Sequence, residues 1–177
     1  MSTFEHFLFH QLTFALSTRN KAKEMYFEQH ISILDVIETV HKATPQQKCY
    51  ILCFCDTITR EYPSELNNAY KAIIDIAKDE THESNKRSIT NIFITLLKKH
   101  FTKLNSLEKE EITNICFQWL IDDSLVATQS NCLTCLDLLS KEIDWINEEL
   151  EQIIDKMYYT KSVAFQSRAM KILKKRR

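Results

Sequence analysis

The sequence of 177 residues contains no glycine at all. Ordinary usage of ~7% would supply about a dozen. Glycine is the residue that visits positive φ without a steric penalty, so its absence argues against tight hairpins and against loops that cradle phosphate with bare backbone. Dinucleotide-binding fingerprints, Walker loops and nucleophile elbows all need glycines and are excluded. Proline is almost as scarce: Pro45 and Pro63 are the only two, and both fall where one helical pattern gives way to the next. Charge of one sign is also missing in excess. The formal net charge of −1 provides no global field to recruit nucleic acid or a membrane surface. No apolar run is long enough to span a bilayer. The opening "MSTFEHFLFHQLTFAL" lacks a basic stretch and is broken by His6, His10 and Gln11, so it is not expected to act as a signal peptide. These absences predict an all-helical chain.

What is present is helical and repeated. Hydrophobic residues make up 44% of the chain, enough to bury a substantial core. Val126, Ala127, Gln129 and Ser130 reappear as Val163, Ala164, Gln166 and Ser167, an offset of 163 − 126 = 37 residues. The preceding stretch "SLEKEEITNICFQWLI" has a counterpart in "INEELEQIIDKMYY", so a whole helical pair recurs. Asn105 with Glu108 three residues on reads as a capping box that starts the first of these helices. Earlier and more diverged copies are "SELNNAYKAIIDIAK" followed by "SNKRSITNIFITLLKKH", and before them "QQKCYILCFCDTITREYP". The first 44 residues read as two or three further helices whose repeat phase is unclear.

An amphipathic pair cannot bury its own apolar stripe, whereas stacked pairs make one continuous core, and periods near ~40 residues belong to HEAT-like arrays. The expected fold is therefore an all-α, right-handed α-α superhelix (a HEAT/ARM-like solenoid) of about four helical pairs. One domain over residues 1–177 is expected, with the repeats in 45–177. Ala127 and Ala164 are expected to let helices approach closely, and Lys174, Lys175, Arg176 and Arg177 to suit a helix C-terminus.

"QKCYILCFCDTITREYP", "HESNKRSITNIFITLLK", "ITNICFQWLIDDSLVATQS" and "AFQSRAMKILKK" resemble a family of small bacterial HEAT-repeat proteins of unassigned function. The resemblance covers residues from about 46 to 175. Members are sometimes labelled adenylosuccinate lyase. That activity is not carried over here, because such lyases are far larger and use a mobile signature loop of serines, methionine, proline and lysine that nothing in this chain matches.

Several residue groups invite chemistry. Cys49, Cys53, Cys55, Cys116, Cys132 and Cys135 lie on helical core positions rather than knuckles, so they read as reduced, packed thiols in a cytoplasmic protein. His6 and His10 share a helix side, but Phe7 stands where a zincin pattern requires glutamate. His82 falls in an inter-helix loop. Trp119 and Trp145 read as packing, and the abundant acids (Glu108, Glu110, Glu111, Asp122, Asp123, Glu148, Glu149, Glu151) as a solvated face. No catalytic residue, cofactor or metal is expected.

Charge is unevenly placed. Residues 146–155 hold four acids and no lysine or arginine, and residues 161–177 hold seven lysines or arginines and no acid. The pattern suggests an acidic convex and a patchily basic concave face. The leading expectation is a non-catalytic interaction module or scaffold that presents its second-type helices to a protein partner through Lys48, Lys86, Arg87, Asn91, Gln129, Thr134, Gln166, Arg168 and Lys171. The alternative is nucleic-acid binding by the basic helices and C-terminal tail, interrupted by Asp137 and Glu142. No membrane partner is expected, and "FEHFLFHQLTFAL" is a candidate surface for a homodimer.

Overall fold

The computed structural model describes residues 2–122 and 124–176, with side chains through Lys174. Asp123 and the tail cations Lys175, Arg176 and Arg177, expected to occupy a loop and a helix end, lie outside what is described in this detail. The described residues are all-α, with no strand. In chain order the helices are α1 (Thr3–His10), α2 (Leu16–Glu28), α3 (Ile33–Glu38), α4 (Pro45–Glu61), α5 (Tyr70–Lys78), α6 (Glu83–Lys99), α7 (Ser106–Ile121), α8 (Val126–Leu139), α9 (Trp145–Met157) and α10 (Val163–Arg176). Short 3-10 segments occupy Thr39–Lys42, Pro63–Asn68 and Phe101–Lys103. No described helix is long and apolar enough to cross a membrane.

The prolines and caps act where the sequence places them. Pro45 is at the first turn of α4, where its missing N–H costs nothing, and Thr44 with Gln47 closes a capping box around it. Pro63 opens the 3-10 segment that follows α4. The Asn105–Glu108 box is formed, with both reciprocal bonds at 2.9 Å. The end of α2 shows what the chain does without glycine. His30 takes φ 50°, with its N–H donating to the Phe27 carbonyl and that of Ile31 to the Tyr26 carbonyl. This pair of bonds is a Schellman ending with histidine in the left-handed position.

Packing divides the chain into two compact units, Met1–Leu96 and Leu97–Arg177. In the first, α4 packs against α1 and α3, and α5 against α3. Its core holds Phe4, Phe7, Leu8 and Leu12, so most of the N-terminal apolar run is turned inward. Of that run, Phe14 and Leu16 remain large exposed hydrophobic residues, at 48% and 66%. In the second unit, α8 packs against α7, α9 and α10. Ile112, Cys116 and Leu120 of α7, Leu133 and Leu136 of α8, Ile154 of α9 and Phe165 and Ile172 of α10 form its core. Five cysteines are buried, Cys53 is half-buried, and all six are free thiols.

The duplicated segment keeps its form. Both copies begin a helix at their valine, and the residue after the repeated alanine, Thr128 or Phe165, is buried in both. The alanines themselves behave otherwise than expected: Ala127 and Ala164 are exposed and do not mediate close helix approach. The apolar phase of each helix starts one residue later.

Candidate functional site

The middle of α4 reads Leu52-Cys53-Phe54-Cys55-Asp56-Thr57-Ile58, a helix whose burial leaves one carboxylate inside. Asp56 is 6% exposed. Its Oδ2 accepts from Arg60 Nη2 one turn on at 2.9 Å, and from Asn91 Nδ2 of α6 at 3.1 Å. Burial pushes the carboxyl above the ordinary range, opposed by Arg60, by the Asn91 bond, and by Arg87 and Arg19. Arg19 comes from α2, where its Nη1 reaches Thr57 Oγ1 at 3.3 Å and Cys53 Sγ at 4.0 Å. Three guanidinium groups from three helices thus act on one carboxylate. Asp56 Oδ1 and Arg19 Nε are buried without a hydrogen-bond partner. Arg60 is 62% exposed through its side chain, and Arg87 is exposed.

Comparison with known proteins returns no match: no family model, no curated protein and no solved structure matches this chain.

The N-terminal end of α4 carries a second polar group of residues. Glu80, 7% exposed, accepts from Lys48 Nζ at 2.7 Å, from the His82 backbone N–H at 2.8 Å and from Asn85 Nδ2 at 3.1 Å. Lys48, Glu80, His82 and Asn85 line a cavity of about 520 Å³. Cys49 Sγ sits 3.4 Å from His82 Nδ1, yet burial first and Glu80 second push its thiol upward. That direction belongs to a packed thiol, whereas a thiolate nucleophile needs the opposite shift. His6 and His10 lie side by side on the surface of α1, their ring centroids 4.5 Å apart and their planes tilted by 41°. No group of three or more histidine, cysteine or acidic side chains among the described residues is arranged to hold a metal ion.

The expected ridge residues divide into those brought together and those used elsewhere. Asn91 bonds to Asp56 and Arg87 acts on it electrostatically, while Lys48 is tied to Glu80 and Lys86 to Glu83 at 3.1 Å. In the second unit Gln129 is 2% exposed, so its side chain is not on offer to a partner. The Thr134 hydroxyl donates to the Ser130 carbonyl at 2.9 Å, and the Gln166 amide to the Lys161 carbonyl at 3.1 Å. Arg168 and Lys171 are exposed. Arg19, Asp56, Arg60 and Glu80 were missed by sequence reasoning. The signal for two of them was there: an aspartate inside an apolar helical run with arginine four residues on is the spacing of a same-face ion pair. Trp145, expected to pack, is 52% exposed and stacks on Phe117 at 5.8 Å.

Proposed function

We propose that the chain is a non-catalytic interaction module, built within each unit from stacked helical pairs of the right-handed HEAT/ARM type. Its α2–α4–α6 ridge receives a carboxylate-bearing segment of a protein partner. The observation that carries this reading is the excess of cation at Asp56. Arg60, Arg87 and Arg19 all act on the single buried carboxylate of Asp56, so cations outnumber that acid three to one. Guanidinium groups offer paired N–H donors that match a carboxylate, and two of the three reach solvent, where a partner can meet them. Asp56 acts as an internal template that holds Arg60 and Asn91 in place before the partner arrives, lowering the ordering cost of binding.

The stacked-pair architecture is supported by the reach of the side-chain bonds that join different helices. Lys23 with Glu61, Arg19 with Thr57, Gln47 with the Phe9 carbonyl, Tyr26 with Glu65, Asn91 with Asp56, Cys49 with His82, and Lys109 with Glu142 span 33 to 39 residues. Each span is close to the 37-residue offset of the duplicated segment, as expected when one repeat bonds to the next. Kinship with the small bacterial HEAT-repeat family rests on the quoted segments.

Selection of displayed random peptides on the purified protein tests the reading. Enriched peptides should carry aspartate or glutamate, and the double variant Arg60→Glu with Arg87→Glu should weaken them by about tenfold or more. Peptides without acids, or peptides that bind the variant equally well, would remove the ridge. Retention of a DNA duplex at low salt that the same variant abolishes would transfer the site to nucleic acid.

A further inference from the structure

Helices α9 and α10 both lean on α8, and each keeps an exposed outer stripe, covered in part only where Trp145 at the head of α9 stacks on Phe117 of α7. On α9 the inner residues are Ile146, Leu150, Ile153 and Ile154, and the outer stripe is Trp145, Glu148, Glu149, Gln152, Asp155 and Lys156, three acids against one cation. On α10 the inner residues are Phe165, Ala169 and Ile172, and the outer stripe is Val163, Ser167, Met170, Lys171 and Lys174, with Arg168 beside it. The stripes are of opposite sign. Glu148, Glu149 and Asp155 form no ion pair with a described residue, and neither do Arg168, Lys171 and Lys174. Apolar surface is interleaved with these charges: Trp145 is 52% exposed, Tyr159 in the connecting turn 89%, Val163 81% and Met170 44%. Scattered exposed hydrophobics are ordinary, so it is their place among two stripes of opposite net charge that makes this a surface of the kind covered in an assembly.

We propose that a second copy of this chain covers it, in a two-fold dimer that lays α9 of each protomer on α10 of its partner. A two-fold axis makes the contact twice, so the acids of each copy meet the cations of the other on both sides. Pairing α9 with α9, or α10 with α10, would bring like charges together and is disfavoured. A nucleic-acid backbone would be attracted by α10 and repelled by α9, and would leave Val163 and Met170 uncovered. The dimer satisfies both stripes and shelters the apolar residues between them. The inference stands apart from the Asp56 ridge, which lies in the other unit.

Sedimentation of the full chain across a wide concentration range, at low and moderate salt, provides the test. Dimerisation should appear as concentration rises and weaken with salt. Arg168→Glu with Lys171→Glu should weaken it by about tenfold or more, and so should Glu148→Lys with Glu149→Lys. Mixing the two variants should restore a dimer, because each then presents the charge the other lacks at both contacts. These positions are exposed, and circular dichroism should show that each variant keeps its helices. A wild-type monomer at all concentrations overturns the proposal. So does a dimer indifferent to both variants, or a failure of the mixture to reassociate.

Discussion

The Asp56 carboxylate and the Asn91 amide, 35 residues apart in the chain, meet at 3.1 Å between α4 and α6. The bond uses one oxygen of a side chain whose other oxygen, Oδ1, has no partner. Asp56 is therefore held in position but not fully satisfied, and its remaining capacity and the surrounding arginines decide how it titrates.

Burial raises Asp56 above the ordinary value of 3.8, against the pull of Arg60, Asn91, Arg87 and Arg19. The folded protein then keeps this proton to a higher pH than the unfolded chain does. Its contribution is most favourable below pH 3.8 and is lost as pH rises from there through the folded value. The urea midpoint of the wild type should accordingly fall relative to that of Asp56→Asn across this acidic window, and the difference should flatten above it. Parallel curves for the two proteins would contradict the assignment.

His30 is left-handed with φ 50° at the end of α2. A residue with a Cβ is strained there by about 1–2 kcal/mol. His30→Gly should gain about 1 kcal/mol once the greater freedom of glycine in the unfolded chain is set against the relief. His30→Val should lose stability instead. Thermal melts of the two variants check the opposite signs.

Asn105 caps α7 in a reciprocal box with Glu108. Asn105→Ala should cost about 0.5–2 kcal/mol, whereas Asn105→Ser or Asn105→Asp should be close to neutral, because both keep an oxygen for the Glu108 N–H. Denaturant midpoints of the three variants separate capping from mere loss of a side chain.

Phe165 is fully buried, while Ser167 on the same helix is exposed. Phe165→Ala should cost about 3–5 kcal/mol through lost burial and a residual cavity. Ser167→Ala should stay within about 0.5 kcal/mol. Equal effects in urea titrations would mean that α10 is not seated as described.

Burial pushes the Cys55 thiol well above its ordinary value, and the Cys116 thiol, bonded among Cys132 and Cys135, is raised as well. Cys53 is the half-buried one. A thiol reagent at neutral pH should modify Cys53 first and reach Cys55 and Cys116 only after denaturant is added, as peptide mass mapping would show. Early modification of Cys116 would mean that α7 and α8 open in the native state.

Helices were the most readable part of the chain, because a 3.6-residue apolar period survives in Ile89, Ile92, Phe93 and Leu96 of α6 and in Leu133, Leu136 and Leu139 of α8, all of which are buried. The duplicated segment announced two equivalent helices, and both begin at the valine it marks. Which letters of the repeat face inward was harder. Val126 and Ala127 resemble core residues by type, yet they occupy the first turn, before the helix reaches its neighbours, and are exposed, while the polar Gln129 is turned inward. Leu107, one residue into α7, is 71% exposed for the same reason. The Asp56 site was legible only in fragments. Arg60 shares its helix and announces itself by spacing, but Arg19 and Asn91 arrive from other helices, and no local pattern records how two helices are rotated against each other.

The bonds from α2 to α4, from α4 to α6 and from α7 to the turn before α9 join residues 33 to 38 positions apart in the chain. Short loops can close early while a chain folds, so contacts of this reach favour quick assembly. They also permit fraying, because a helix that detaches at the edge of a unit breaks ties mainly to helices close to it in the chain. Backbone amides should therefore exchange in a gradient within each unit, fastest in its outermost helices, so that loosening an outer helix need not dissolve the rest.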